Sequence, residues 1–416
     1  METWRPASLE PCREMMRWTH FERREGRPGL LRGEMRTRSG RWLRARWWAA
    51  VGAVGVAAVI LAASFGGEAT AGERNAPGNP IDRFLRRPLA DAGLEPTPPA
   101  DPCMLVRRLA FDLTGLPPTP DMIDAYAADP SPSAFENLVE QLLASPHYGE
   151  HWGRHWLDVV RYADSNGLDE NIAHGNAWRY RDYVIAAFNA DKPFDAFARE
   201  QLAGDLLITE ATPPERRAEL LTATGFLVLG PKVLAEGDET KLQMDIIDEQ
   251  IDTAGKAFLG LALGCARCHD HKFDPISQAD YYALAGIMQS TRTMESLKRI
   301  AKWNENLIAT PAEQAAHAAH QKKIDAAKAA VEAFVHETRE MLAATGAGSE
   351  AAAPAEIAEE AFPDEAKATL AELRAAQQQL EASLPELAMA MGVAEAEPTV
   401  TPIHFRGSHL TLGAEV

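Results

Sequence analysis

From Pro102 onward, apolar residues recur at three- and four-residue steps almost without interruption. That spacing restricts the chain to a helical fold, because a 3.6-residue period brings such positions onto one face. The clearest case is Thr240 to Leu263, where Met244, Ile247, Ile251, Ala254, Phe258 and Leu261 form one stripe behind a Thr240/Gln243 capping box. Gly264 is expected to end this helix and to place Cys265 at its edge. Leu105, Val106, Leu109, Ala110 and Leu113 share another face, which Gly115, Pro117 and Pro118 terminate. Further helices are expected behind a Ser133/Glu136 capping box, around Trp152 and Trp156, and from about Trp178 to Phe188. No run shows convincing β-alternation. The predicted class is all-α: an irregular multi-helix domain over 102–300, then a long helical hairpin over 311–391, where Ala, Glu, Lys and Gln dominate and Gly346 to Pro354 make the break. Residues 72–101 read as a tether with one brief helix, and 392–416 as the start of a truncated following segment.

Charge is placed unevenly. Residues 1–46 hold twelve Arg, no Lys and six Glu, a net of +6, so the remaining chain carries −24 of the total −18. A body that acidic repels phosphate backbones, which argues against nucleic acid as a partner. The basic leader is followed by Trp47 to Phe65, nineteen residues without a charge, and by Ala69-Thr70-Ala71, which fits a small-x-small cleavage site. Residues 1–71 are therefore expected to be a leader with a signal peptide or, if uncleaved, a membrane anchor, with Met35 as the start of a more ordinary basic segment. Either outcome puts residues 72–416 on the outer side, in the periplasm or at the cell surface, with membrane contact only through the uncleaved segment. Cys103 is expected to be a small buried thiol.

Cys265-Ala266-Arg267-Cys268-His269 carries the chemistry. Two thiols three residues apart match the two vinyl groups of one haem, and the adjacent imidazole reaches the iron from the same side. Export agrees with this, since covalent haem attachment takes place outside the cytoplasm. Two other chemistries use the same residues. Zinc takes thiolates and imidazoles in a tetrahedron, which Cys265, Cys268 and His271 enter with His269, or a distant His such as His155 or a distant Asp, as the fourth ligand; an unligated pair closes into a disulfide. If iron is bound, His155, His151, His271, Met288 and Met294 are candidates for its other axial position, which decides between electron transfer and ligand chemistry. His151 and His155 share a helical face but lack the intervening Glu of a zinc protease. Asp245, Asp248, Glu249 and Asp252 line another face of the 240–263 helix and are expected to be a solvated stripe. His317, His320 and His336 are expected to face water.

Several segments resemble one family. Gly264 to Ile276 with Asp280 to Leu284, Arg107 to Pro118, His155 to Ser165, Phe194 to Leu206 and Phe258 to Leu261 are similar to the domain of unknown function 1549, found with planctomycete cytochrome-associated proteins. The resemblance spans about residues 80–292. It implies an exported, largely helical domain associated with haem and electron transfer, its reaction not established. It also implies neighbouring domains, a small cytochrome before and a second domain after, so the expected partner is a redox protein or those missing neighbours. Ile403 to Val416 looks like the beginning of the second. Within the family's motifs Asp164, His155, Asp270, His271 and Asp274 are implied as candidates for lining the site. Two further functions remain open: a zinc-stabilised scaffold, and a metal-assisted hydrolase of extracellular polymers using His155, Asp164 and Asp274.

Overall fold

A computed structural model describes residues 80–168, 170–345 and 357–416. The expected leader and signal segment, and the expected Gly346–Pro354 break, lie outside those residues. Among the described residues no helix is long and apolar enough to cross a membrane. The chain divides into two units, Met1–Leu105 and Val106–Val416. The first includes α1 (Pro80–Asp91) and the opening of α2 (Pro102–Thr114). Cys103 is buried but disulfide-bonded, which corrects the expected free thiol.

In the second unit, α3 (Pro120–Ala128), α4 (Pro132–Leu143) and α5 (Pro146–Val159) each place proline at the first helical position behind a Thr or Ser cap. Proline has no N–H to leave unsatisfied there, and its fixed φ suits the first turn. The expected Ser133/Glu136 box is therefore replaced: Ser131 caps α4 by accepting from Ala134 N at 3.2 Å. Then come α6 (Ala177–Asn189), α7 (Phe194–Ala203), α8 (Pro214–Ala223) and the single turn α9 (Gly225–Val228). Their apolar faces meet in one cluster, with Val160, Val184, Phe226, Val228 and Leu229 fully enclosed.

A second cluster forms where α10 (Glu239–Ala254) packs on α11 (Gln278–Gln289) through Met244, Ile247, Ile251, Tyr281, Tyr282 and Ala285. Asp238, not Thr240, caps α10, accepting from Lys241 N at 2.9 Å. The helix also stops earlier than its apolar stripe. A π-helical turn at Gly255–Leu259 follows, and Gly260 closes it in the left-handed region at φ 67°. That conformation is open to glycine at no steric cost. Gly264 thus lies in a separate turn.

The class is mostly α, as the helical spacing predicts, with small strands that the expectation did not include. Four two-stranded antiparallel pairs occur among β1 (Thr291–Arg292), β2 (Met294–Ser296), β3 (Lys302–Trp303), β4 (Glu305–Leu307), β5 (Met389–Met391), β6 (Ala394–Glu395), β7 (Pro402–His404) and β8 (Leu412–Glu415). The pairs β4–β5 and β1–β6 join 291–307 to 389–395. The chain between them runs through α12 (Pro311–Ala344) and α13 (Asp364–Ala382). These two meet along Phe334, Val335 and Leu370, in a cluster that Phe362, just ahead of α13, also joins. His336 is exposed as expected, but His317 Nδ1 and His320 Nε2 lie 2.7 Å from Pro385 O and 2.8 Å from Leu380 O. Those two rings bind carbonyls near the α13 terminus instead of facing water alone.

Candidate thiol and imidazole site

The Cys-x-x-Cys segment is a 3₁₀ turn, Leu263–Arg267, with Cys268 as its C-cap. In a 3₁₀ helix residues three apart lie over one another. Leu263 and Ala266 accordingly point together into the α10/α11 core, while Cys265 and Cys268 are both exposed free thiols. One face anchors the turn and another presents two sulfurs to the outside.

Charge holds the turn in place. Arg267, between the cysteines, donates from Nη2 to Asp245 at 2.8 Å and sits 3.2 Å from Asp248 through Nη1. Tyr281 OH donates to Asp248 at 2.6 Å. Asp252 pairs with Lys256 and accepts from Gly264 N at 3.4 Å. Farther round α10, Glu249 holds Arg161, whose Nη1 also donates to Phe226 O at 2.8 Å. The expected solvated stripe is therefore corrected: its four carboxylates tie α10 to the motif's turn, to α11 and to the α5 end. Lys256 is four residues from Asp252, but Arg267, Tyr281 and Arg161 come from farther along the chain, so the stripe itself gave no sign of them.

His269 is exposed, and its Nδ1 lies 2.8 Å from Asp270 O. A carbonyl only accepts, so Nδ1 is the donor here, and in the neutral ring that tautomer leaves the lone pair on Nε2. That is the tautomer in which an imidazole ligates through Nε2 while a carbonyl fixes its ring. His271 differs. Backbone N–H groups of Asp274 and Phe273 approach its Nδ1 at 2.9 and 3.3 Å, so this nitrogen accepts and closes the 271–276 loop. The Asp274 carboxylate lies 3.2 Å from the same nitrogen, but two converging N–H donors leave no place for a proton there. Asp270 Oδ1 accepts from Gln278 N at 2.8 Å, joining this loop to α11.

The remaining candidates lie elsewhere. Asp164 is exposed and accepts from Tyr162 OH at 2.7 Å. His155 is exposed on α5, its ring 5.2 Å from that of His151. Met294 is buried and Met288 packs against both main clusters. Among the described residues no three His, Cys, Asp or Glu side chains gather into a group able to hold a metal ion.

The model of a family described as "Protein of unknown function (DUF1549)", PSCyt2, matches residues 80–293, just over half of the chain. The chain belongs to this family. No curated protein and no solved structure matches it. The DUF1549 match takes in both walls of the α10/α11 core and the whole thiol turn, and ends before β2, so the strands that follow lie outside it.

Sequence reasoning missed the supports of this site: Arg267 as an anchor, Gln278 and Tyr282 as donors to its carbonyl, Tyr281 as a partner of Asp248, and the Ser277/Asp280 box that opens α11. One was readable, because Ser277 and Asp280 have capping-box spacing; Ser277 Oγ accepts from Asp280 N at 3.1 Å and Asp280 Oδ2 from Ser277 N at 2.8 Å. Ser277→Ala should cost about 1 kcal/mol of stability, the usual value of an N-cap oxygen. Urea unfolding checks it, and an unchanged midpoint would show the box to be dispensable.

Proposed function

We propose that this DUF1549 protein is an exported c-type haem protein that passes single electrons to a redox partner, with Cys265 and Cys268 as covalent anchors and His269 as the iron's proximal ligand. The observation that carries this is the turn: two free thiols exposed together, followed by an exposed imidazole whose Nδ1 faces the Asp270 carbonyl, which leaves Nε2 as the nitrogen turned away from the protein's own bonds. Each thiol would add across a vinyl group, the sulfur bonding one carbon and its proton passing to the other, so no oxidant is needed. The bound group would supply one-electron chemistry at iron. The chain's own part is to orient: Arg267 and the α10 carboxylates fix the turn, and Asp270 O fixes the imidazole.

Zinc asks for more from the protein, namely four converging donors. His271 Nδ1 already accepts from its own loop, and no group of three suitable side chains occurs among the described residues, which favours the haem reading. The same observation weakens the hydrolase, since His155, Asp164 and Asp274 do not gather. Export rests on the basic leader and the uncharged run after it. We read α12 and α13 as the two limbs of the expected hairpin.

Expression alongside a haem-maturation system tests the proposal. Intact-mass measurement should show one added haem that survives denaturation, with the reduced absorption bands of a c-type centre. Cys268→Ser should abolish or cripple attachment. A colourless, correctly exported sample with only the polypeptide's mass would overturn it.

A further inference from the structure

The hairpin of β7 and β8 is clamped to the motif's turn from behind. Gln278 Nε2 donates to Arg267 O at 3.0 Å and to His404 O at 3.2 Å. Tyr282 OH is shared between the same two carbonyls, at 3.0 and 3.4 Å. The His404 ring is buried, packs against Tyr282 with centroids 5.0 Å apart, and has no hydrogen-bond partner for Nδ1 among the described residues. Two side chains of α11 therefore hold the end of the thiol turn and the end of β7 in one register.

Just past β7 the backbone comes against the second cysteine. Gly407 has φ 75°, and a Cβ built there would stand 2.8 Å from Cys268 Sγ and 3.4 Å from Arg267 Cγ. Room exists beside this sulfur only because residue 407 lacks a side chain. The same hairpin leaves three large apolar residues in water, Phe405 at 55%, Leu410 at 80% and Leu412 at 56% exposure, of which Phe405 and Leu412 lie next to or in the paired strands. A two-stranded hairpin is marginal by itself, and exposed apolar side chains beside a reactive group are a surface awaiting cover.

We propose that the hairpin Pro402–Glu415 is the second wall of the thiol site: Gly407 sets the clearance at Cys268, and Phe405 and Leu412 offer apolar surface to a planar tetrapyrrole anchored there. The tetrapyrrole as occupant rests on the haem reading; the clearance at Cys268 does not. Phe405 lies two residues before Gly407, whose backbone comes against that sulfur, and Leu412 begins the strand that returns beside β7. This wall lies beyond the segment matched by the family.

The test uses the haem-free full-length chain and a planar aromatic probe, pyrene maleimide, with labelled peptides quantified by mass spectrometry. Gly407→Val should slow labelling of Cys268 several-fold and leave Cys265 at its wild-type rate. Gly407→Ala, less strained, should give a smaller slowing in the same direction, and circular dichroism checks that both variants fold. Pyrene on Cys268 of a Cys265→Ser chain should report an apolar environment, which Phe405→Ser with Leu412→Ser shifts toward that of water. Equal Cys268 rates in wild type and both glycine variants, or a pyrene spectrum indifferent to Phe405 and Leu412, would overturn the proposal. Neither readout needs haem, so a wild type that gains no haem mass counts against the haem reading and not against the wall.

Discussion

Glu200→Gln should lower unfolding stability by about 3 kcal/mol, the low end of what breaking a buried ion pair costs. Glu200 on α7 is 3% exposed. It accepts from Lys192 Nζ at 2.6 Å and Tyr183 OH at 2.9 Å, and from Arg216 as well. Removing its charge leaves two cations facing a neutral amide in a desolvated place. The low end applies because Glu219 still binds both, at 2.5 Å from Lys192 Nζ and from Arg216 Nη1. Glu219 itself is more exposed, so Glu219→Gln should cost no more than about 1 kcal/mol. Guanidinium unfolding of the two variants checks the order, and equal losses would show that burial does not set the difference.

The same carboxylate gives a pH dependence. Burial pushes its pKa upward, but hydrogen bonds from Arg216, Lys192 and Tyr183 outweigh burial and hold it below the ordinary glutamate value. The unfolded chain therefore binds this proton more readily than the folded one, and stability rises with pH across the interval between the two values. The contribution is complete above the unfolded glutamate value and is lost as pH falls through the lower, folded one. Glu200→Gln should accordingly flatten the acid limb of the stability profile as well as lower the plateau.

The sequence made some of this architecture plain because the deciding interactions are local. The α10 stripe from Met244 to Ile251 is set by the helical period of its own residues. Where α10 ends was misread because Phe258 and Leu261 continue the apolar period after the backbone has left it, and periodicity carries no record of a π-helical turn. The proline-led start of α4 was misread for a related reason: Ser133 and Glu136 have box spacing, but Pro132 already fixes the first turn one residue earlier. The strands are two to four residues long, too short to alternate visibly, and β4 finds β5 only across both long helices. Of the site, the anchoring cysteines and histidine are a pattern that can be read from spacing. Their supports are not, because Arg267 needs Asp245 and Asp248 from the preceding helix, and Gly407 meets Cys268 only after the whole hairpin has folded back.

That support makes Arg267 the side chain of the motif whose loss should be felt most by the fold and by the site together. Its guanidinium is 17% exposed and spans Asp245 and Asp248, so deleting it removes two charge-assisted contacts and leaves both carboxylates short of a partner. Arg267→Ala should cost about 2 kcal/mol, within the range for hydrogen bonds to charged groups. Asp245 retains Lys241 and Asp248 retains Tyr281, which keeps the figure from being larger. A double-mutant cycle with Asp245→Asn should return a coupling of about 1 kcal/mol, as expected for side chains in direct contact. Arg267→Lys should recover only part of the loss, because a single ammonium does not reach both carboxylates in the geometry of a planar fork. The two readouts separate structure from orientation. If Arg267 positions the thiols, the yield of covalent haem in Arg267→Ala should fall at temperatures where the variant is still folded, and should recover partly in Arg267→Lys; a yield that tracks the folded fraction alone would make Arg267 a stabilising residue with no part in presenting Cys265 and Cys268.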